Sequence, residues 1–173
     1  MNDPAETSES SRSLTFRQTV AGHDAIWVRG VVQRAEVFSA AEVDVAVELV
    51  QERLAKGPGS GYHFVFAERN GQALGYTCYG PIPATARRYD LYWIVVEPWC
   101  RSAGIGRLLL AETERLVRAH GGRRVYAETS GRDEYGSARA FYERCGFRRE
   151  AVLEDFYADG DDKIIYVKAL PSA

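Results

Sequence analysis

The stretch "WCRSAGIGR", residues 99–107, directly follows the apolar run 91–96 and decides how the rest of the chain is interpreted. It places Arg101, Gly104 and Gly106 within six residues, between a predicted strand and a predicted helix. Glycines at such a junction let backbone N–H groups approach a phosphate, which the helix N-terminus also attracts. A tight turn before an ordinary helix would need glycines too, so the neighbouring sequence has to separate the two interpretations.

Composition and charge are those of an ordinary globular protein. The chain has 173 residues, a formal net charge of -2 and 46% hydrophobic residues, which fits a single domain over residues 13–173. Residues 1–12 are polar and acidic, so they predict a disordered tail and lack the apolar segment of a signal peptide. We find no basic excess for nucleic-acid binding, and no apolar run near the roughly 20 residues that span a membrane.

The cysteines indicate a reducing environment. Cys78, Cys100 and Cys145 are odd in number and widely spaced, which argues against a disulfide framework and against a zinc site. We therefore expect a cytoplasmic protein without a bound metal.

Apolar periodicity predicts the order strand, two helices, three strands, helix, strand, helix and two strands. The first half begins with a strand over residues 14–20, and Asp24 is expected to cap a short helix that ends near Val32. Ser39 and Glu42 have the spacing of a capping box, and Gly57 ends the helix that follows. The predicted buried positions of this second helix are Val43, Val47, Val50 and Leu54.

The second half contains the strands that frame the opening motif. Asn70-Gly71 predicts a hairpin turn, and the strand 89–96 is apolar on both faces and therefore central. A helix over about 104–119 and a strand over 123–130 follow. The last predicted elements are a helix that ends at Gly146 and a hairpin of residues 147–157 and 163–170 around an acidic loop.

Two common phosphate-binding motifs do not fit the glycines. A dinucleotide fingerprint would need a third small residue at position 109, which is Leu109. A P-loop would need Gly-Lys followed by Ser or Thr, whereas the chain has "GIGR". The remaining pattern is Arg-x-x-Gly-x-Gly after a central strand.

With this pattern and a second one, "ARAFYERCGF" at residues 138–147, the chain resembles the GCN5-related N-acetyltransferase (GNAT) superfamily from about residue 14 to 170. The resemblance implies an α/β (α+β) GNAT fold. Its central sheet is mixed and mostly antiparallel, with about seven strands that splay between strands 4 and 5, and about four helices flank it.

The resemblance also implies acetyl-CoA as co-substrate, with the pyrophosphate on the backbone amides before and within the first turn of the helix. The family often has Gly immediately after the Arg, where this chain has Ser102. Pantetheine would pair with the backbone of strand 4. The expected cofactor contacts are Ile94, Val95, Val96, Arg101, Ser102, Ala103, Gly104, Ile105, Gly106, Arg107 and Tyr142.

The implied reaction is direct attack of a primary amine, from a small molecule or peptide, on the acetyl thioester. Tyr142 matches the family tyrosine that protonates the departing thiolate, although a core aromatic would also fit its position. For the general base we expect Asp90 first, then Glu128, then Glu97 at a solvent-facing strand end. A water chain, or no dedicated base, remains an alternative.

Other functions stay open at this point. A non-catalytic acyl-CoA-binding module would keep the cofactor site without turnover. A covalent acyltransferase using Cys78 or Cys100 with His63 has no support in the residue spacing.

Tyr135 stands where the family often has an Asn that contacts pantetheine. The acidic stretch 154–162 could attract a cationic amine, although a solvated turn is the preferred interpretation, and the sequence allows a homodimer.

Overall fold

A computed structural model describes residues 13–171, so the predicted tail over residues 1–12 lies outside the described residues. The order of its elements confirms the sequence prediction. In chain order the elements are β1 (Thr15–Arg17), α1 (Asp24–Arg34), α2 (Ala40–Lys56), β2 (His63–Arg69), β3 (Gln72–Pro81), β4 (Arg88–Val96), α3 (Ile105–Ala119), β5 (Arg124–Ser130), α4 (Gly136–Arg144), β6 (Arg148–Ala158) and β7 (Asp161–Ala169).

The strands form one sheet in the order β1-β2-β3-β4-β5-β7-β6. Antiparallel pairing joins β1 to β2, β5 to β7 and β6 to β7, whereas β4 and β5 are parallel. The parallel ladder joins Arg88–Leu91 to Arg124–Ala127, and β4 continues beyond it to Val96. The mixed, mostly antiparallel sheet with its parallel β4–β5 pair confirms the expected fold class.

The chain divides into two compact units. The first contains the described residues up to 78 together with 93–112, and the second contains residues 79–92 together with those from 113 onward. Three elements, β3, β4 and α3, contribute residues to both units. In the described part of the chain, each helix is too short or too polar to cross a lipid bilayer.

The core of the first unit lies between its two helices and strands β2 and β3. Valines make up much of it, together with a cluster of aromatic rings: Phe64, Phe66 and Tyr76 stack, and the edge of Trp27 meets the last two. The capping box at Ser39 and Glu42 is present as predicted. Three of the four predicted α2 positions are buried, but Leu54 is 43% exposed, so the apolar face of α2 ends at Val50.

The start of α1 differs from the prediction. Asp24 does not cap the helix, because its buried carboxylate accepts hydrogen bonds from Arg17 at 2.8 and 2.9 Å and from the Ala21 N–H at 2.7 Å. The N-cap is His23, whose side chain makes no capping hydrogen bond. Strand β1 is shorter than the predicted 14–20, and α1 continues past Val32 to Arg34.

The second unit packs α4 against the antiparallel strands β6 and β7. Its central contact is a cluster of rings in which Tyr142 lies 5.4 Å from Phe147 and 5.5 Å from Tyr166, centroid to centroid. The helix ends as predicted before Gly146, whose φ of 84° is the left-handed conformation that favours glycine.

Candidate active site

The opening motif folds as a short turn followed by the N-terminus of α3. A 3-10 turn covers Pro98–Cys100, and the first α-helical hydrogen bond of α3 runs from the Leu108 N–H to the Gly104 carbonyl at 3.1 Å. The N–H groups of Ile105, Gly106 and Arg107 come before that bond, so they have no carbonyl partner within the helix. Together with the helix dipole they form a favourable position for an anion.

Backbone conformation explains one glycine of this turn and its departure from the family pattern. Gly104 has a φ of 78°, and a Cβ added there would meet nothing within 4 Å. Its conformation, rather than crowding inside the protein, therefore requires glycine. Ser102 also has a positive φ, of 71°, in the position where the resemblance leads us to expect glycine. A serine held there is strained, because Cβ approaches the backbone.

The C-terminal end of α1 holds this turn in place. The Arg101 guanidinium donates a hydrogen bond to the carbonyl of Ala35, the C-cap of α1, at 3.3 Å. Glu97 accepts hydrogen bonds from Arg34 at 2.6 and 3.1 Å. The expectation that Glu97 faces solvent is wrong, since it is buried and engaged in an ion pair. Glu97 is therefore a structural residue and a poor general base.

The C-terminal half of β4 contains the backbone expected to pair with pantetheine. Val95 is buried in the core of the first unit, and Ile94 and Val96 are half-buried. Gly75 on β3 lies against this segment, because a Cβ there would be 2.8 Å from the Val95 carbonyl oxygen and 3.1 Å from the Val96 Cα. Gly75 was not among the expected site residues, although an isolated glycine in a strand indicates close backbone approach.

Two of the predicted carboxylates come together in the second unit. Asp90 pairs with Tyr126 in the β4–β5 ladder, two residues before Glu128. Burial and then the charge of Glu128 raise the pKa of Asp90 from 3.8 to about 6, while Lys163 opposes the rise. Glu128 itself forms an ion pair with Lys163 at 2.5 Å. Lys163, which was not among the expected site residues, pairs with only one of the two carboxylates, Glu128.

Tyr142 lies on α4 with its ring buried. Besides the contacts to Phe147 and Tyr166, its ring meets Phe141 at 5.7 Å. Burial raises the pKa of the Tyr142 phenol well above its usual value. The group is therefore a neutral proton donor across the physiological pH range, which suits a general acid and equally a packed aromatic.

The cysteines are poor nucleophiles. Cys78 is fully buried, and burial raises the pKa of its thiol well above the usual value. Burial and the charge of Glu97 also raise the pKa of Cys100, whose Sγ donates weakly to backbone carbonyls. Both thiols stay protonated, so a covalent cysteine mechanism gains no support. Within residues 13–171, no group of three His, Cys, Asp or Glu could hold a metal ion.

Tyr135, the other departure from the family pattern, is buried at the N-terminus of α4. The Arg132 guanidinium lies over its ring, 5.4 Å from the centroid. The ring is thus part of the packing at the start of the helix.

Solved structures share this architecture. A crystal structure of a Desulfovibrio desulfuricans protein assigned to the GNAT family of acetyltransferases is 52% identical, with a TM-score of 0.89 over 91% of this chain and 99% of that one. The PaiA N-acetyltransferase of Thermoplasma acidophilum, solved in complex with coenzyme A, is 19% identical, with a TM-score of 0.71 over 91% of this chain and 99% of its own. The fold is therefore that of the GNAT acetyltransferases.

Sequence comparison gives the same class. An uncharacterized N-acetyltransferase of Methanocaldococcus jannaschii is 30% identical over 150 residues, which cover 79% of this chain and 91% of that protein. The model of the Acetyltransferase (GNAT) family matches residues 31–147, which include the turn after β4 and the helix α4. The chain belongs to the GNAT family of acetyltransferases.

Proposed function

We propose that the protein transfers the acetyl group of acetyl-CoA to a primary amine of a small molecule or peptide, by direct attack in a ternary complex. The observation that carries the proposal is the set of N–H groups at the start of α3, which have no partner within the helix. They follow a turn that α1 holds through Arg101 and Glu97. The coenzyme A bound to the T. acidophilum relative supports the same donor here.

The N–H groups of Ile105, Gly106 and Arg107 would hold the pyrophosphate, with the turn from Arg101 to Gly104 beside it. The residues that follow Tyr92 in β4 lie beyond the β4–β5 ladder. The backbone of Ile94, Val95 and Val96 would pair with the pantetheine arm. A backbone amide of this segment would polarise the thioester carbonyl, where negative charge develops during attack.

Asp90 is our choice for the general base. An alkylamine is mostly protonated at neutral pH, so a proton must leave the nitrogen before its lone pair can attack. A carboxylate with a pKa of about 6 is ionised at pH 7 and is more basic than an ordinary aspartate. The ion pair with Lys163 makes Glu128 the weaker candidate.

Tyr142 would act as the general acid. When the amine nitrogen bonds to the acetyl carbonyl carbon, the carbon–sulfur bond breaks and the thiolate takes a proton from the phenol. Asp90 accepts the proton that leaves the ammonium before attack, and the second proton, which the nitrogen loses as the amide forms, restores the Tyr142 phenol by way of solvent. The raised pKa keeps the phenol protonated until the thiolate forms.

The test is incubation with acetyl-CoA and a panel of alkylamines, amino acids and peptides, with detection of both free coenzyme A and acetylated product. Product from at least one amine supports the transferase. Tight acetyl-CoA binding without product from any amine supports the binding module. The cytoplasmic location, consistent with three free cysteines, and the homodimer stay predictions.

A further inference from the structure

The β6–β7 hairpin carries two exposed aromatic residues around a lysine. Phe156 and Tyr157 are 51% and 49% exposed, and their rings meet edge to face at 5.1 Å. The Lys163 ammonium lies 4.1 Å from the Phe156 centroid and 5.9 Å from that of Tyr157. The Lys163 side chain is only 14% exposed, so these rings and its ion pair cover most of it.

Glu128 on β5 completes the surroundings of this ammonium. Its carboxylate lies 2.5 Å from the Lys163 Nζ and remains 47% exposed. Aromatic faces attract cations through their quadrupole, and a carboxylate adds a charged hydrogen bond. We call Phe156, Tyr157 and Glu128 the ammonium cage, because these groups together surround the Lys163 ammonium.

Local hydrogen bonds hold the aromatic segment in its conformation. The β6–β7 register is irregular between Leu153 and Ala158, and Asp155 has a positive φ of 51°. The Asp155 carboxylate accepts a hydrogen bond from the Gly160 N–H at 2.7 Å, and the Asp155 N–H donates to Asp162 at 3.0 Å. These two hydrogen bonds stabilise the strained conformation of Asp155. The rings of Phe156 and Tyr157 therefore stay beside Lys163 and exposed to solvent.

We propose that the ammonium cage is a subsite for the acceptor, and that Lys163 is an internal occupant which an alkylammonium group of the acceptor displaces. This inference rests on the proposed transfer to an amine. A nitrogen that the cage holds as a cation has no free lone pair for attack. The cage therefore binds a second, non-reacting ammonium group, and the acceptors are alkyl diamines or molecules with an equivalent pair of amines.

Binding is tested first, without turnover, by NMR of the Phe156 and Tyr157 ring resonances. We expect n-butylammonium to shift both sets of resonances, whereas the neutral n-butanol does not. Lys163→Met removes the internal occupant and should tighten n-butylammonium binding about two- to fivefold. Lys163→Arg keeps a cation in place and should leave the affinity near that of the wild type. The control Lys56→Met breaks an exposed ion pair with Glu52 on α2, outside the ammonium cage, and should change nothing.

Turnover then tests the role of the cage in acceptor binding. We expect a lower KM for 1,4-diaminobutane than for n-butylamine. Phe156→Leu should lower kcat/KM for the diamine about two- to fivefold. The kcat/KM of n-butylamine should not change, because its binding in the cage is non-productive and affects kcat and KM equally. Equal effects of Phe156→Leu on the two amines would overturn the subsite.

Two further results separate this inference from the proposed function. If neither ring responds to n-butylammonium in the wild type or in Lys163→Met, while amines are acetylated, the cage is overturned and the transferase stands. If the rings respond but no amine is acetylated, the proposed function fails and the subsite fails with it.

Discussion

Lys163 pairs with Glu128 at 2.5 Å, whereas burial and then the charge of Glu128 raise the pKa of the nearby Asp90 to about 6 against the opposing charge of Lys163. The two neighbouring carboxylates therefore have different properties. Glu128 is held as the charged partner of an ammonium ion. Asp90 is a half-buried group that becomes charged only near neutral pH.

The first prediction concerns the base. Asp90→Asn should lower turnover by about 10²–10⁴-fold and leave acetyl-CoA affinity unchanged, because it removes only a proton acceptor. Wild-type turnover should fall as the pH drops through about 6, where Asp90 becomes protonated. At higher pH more free amine exists, so the variant should recover part of its rate. The pH–rate profile of Glu128→Gln, recorded beside it, is the comparison. A normal profile for Asp90→Asn would move the assignment to Glu128.

Asp90 should also have a signature in stability. Its folded pKa of about 6 lies above its ordinary value of 3.8, so the folded chain binds the proton more tightly than the unfolded chain. The resulting stabilisation is complete below pH 3.8 and is lost as the pH rises through 6. Asp90→Asn should therefore raise the free energy of unfolding at pH 7 relative to the wild type. Denaturant unfolding at several pH values measures this, and a variant less stable at pH 7 would contradict it.

The second prediction concerns the acid. Tyr142→Phe keeps the ring in its cluster and should reduce turnover by about 10²–10⁴-fold with little change in acetyl-CoA affinity. Tyr166→Phe is the matched control, because it removes the hydroxyl of a neighbouring ring that instead donates to Glu143 at 3.0 Å. Calorimetry and single-turnover rates give the two quantities. Equal turnover losses in both variants would make Tyr142 a packing residue.

Gly106 allows a third prediction. A side chain at 106 would intrude on the N–H groups of the first turn of α3, so Gly106→Val should weaken acetyl-CoA binding without unfolding the protein. Ala111→Val places the same β-branched residue at an exposed position of the same helix and controls for helix propensity. Calorimetry that finds unchanged affinity in Gly106→Val would rule out the phosphate site.

Ser102 supplies a fourth prediction, since it holds a φ of 71° without the freedom of glycine. Ser102→Gly should raise the free energy of unfolding by about 0.5–1 kcal/mol, the relief of left-handed strain less the added entropy of the unfolded chain. Ser102→Ala retains the strain and should gain nothing. Thermal unfolding distinguishes the two, and equal stabilities for the two variants would show that this backbone conformation is not strained.

The fifth prediction tests the close approach of β3 and β4. Gly75→Ala brings a Cβ to 2.8 Å from the Val95 carbonyl oxygen, so it should destabilise the protein by about 1–3 kcal/mol. Gly59→Ala, where a Cβ meets nothing within 4 Å, is the control and should be close to neutral. Urea unfolding measures both changes. If Gly75→Ala is as stable as the control, then β3 and β4 can move apart to accommodate the added Cβ.

Local signals in the sequence predicted local structure correctly. Ser39 and Glu42 lie three residues apart and form the expected capping box, and Asn70 and Gly71 adopt the positive φ values of a tight hairpin turn. Such features depend on a few adjacent residues, so a capping box or a tight turn can be predicted from the local sequence. Gly104 differs, because the sequence indicated the approach of a phosphate there, whereas its φ of 78° is a reason for glycine that the sequence did not predict.

Roles that depend on distant partners could not be predicted in this way. The partner of Glu97 is Arg34, 63 residues earlier, so nothing near Glu97 in the sequence distinguishes a buried ion pair from a solvent-facing strand end. Asp24 likewise has the residue type of a cap but binds Arg17 from β1. Asp90 is ranked before Glu128 from the sequence alone, but the ion pair of Glu128 with Lys163 could not be foreseen, because only the register of β5 with β7 brings Lys163 close.

Helix α1 contacts the turn after β4 at two points, through Arg101 with the Ala35 carbonyl and through Arg34 with Glu97. Substitutions in α1 can therefore alter the conformation of the turn that is predicted to bind the pyrophosphate. Arg34 is half-exposed, so dissolved salt can reach one of these two contacts. Substitutions along the last turn of α1 should therefore change the affinity for coenzyme A, although that part of the chain bears no motif.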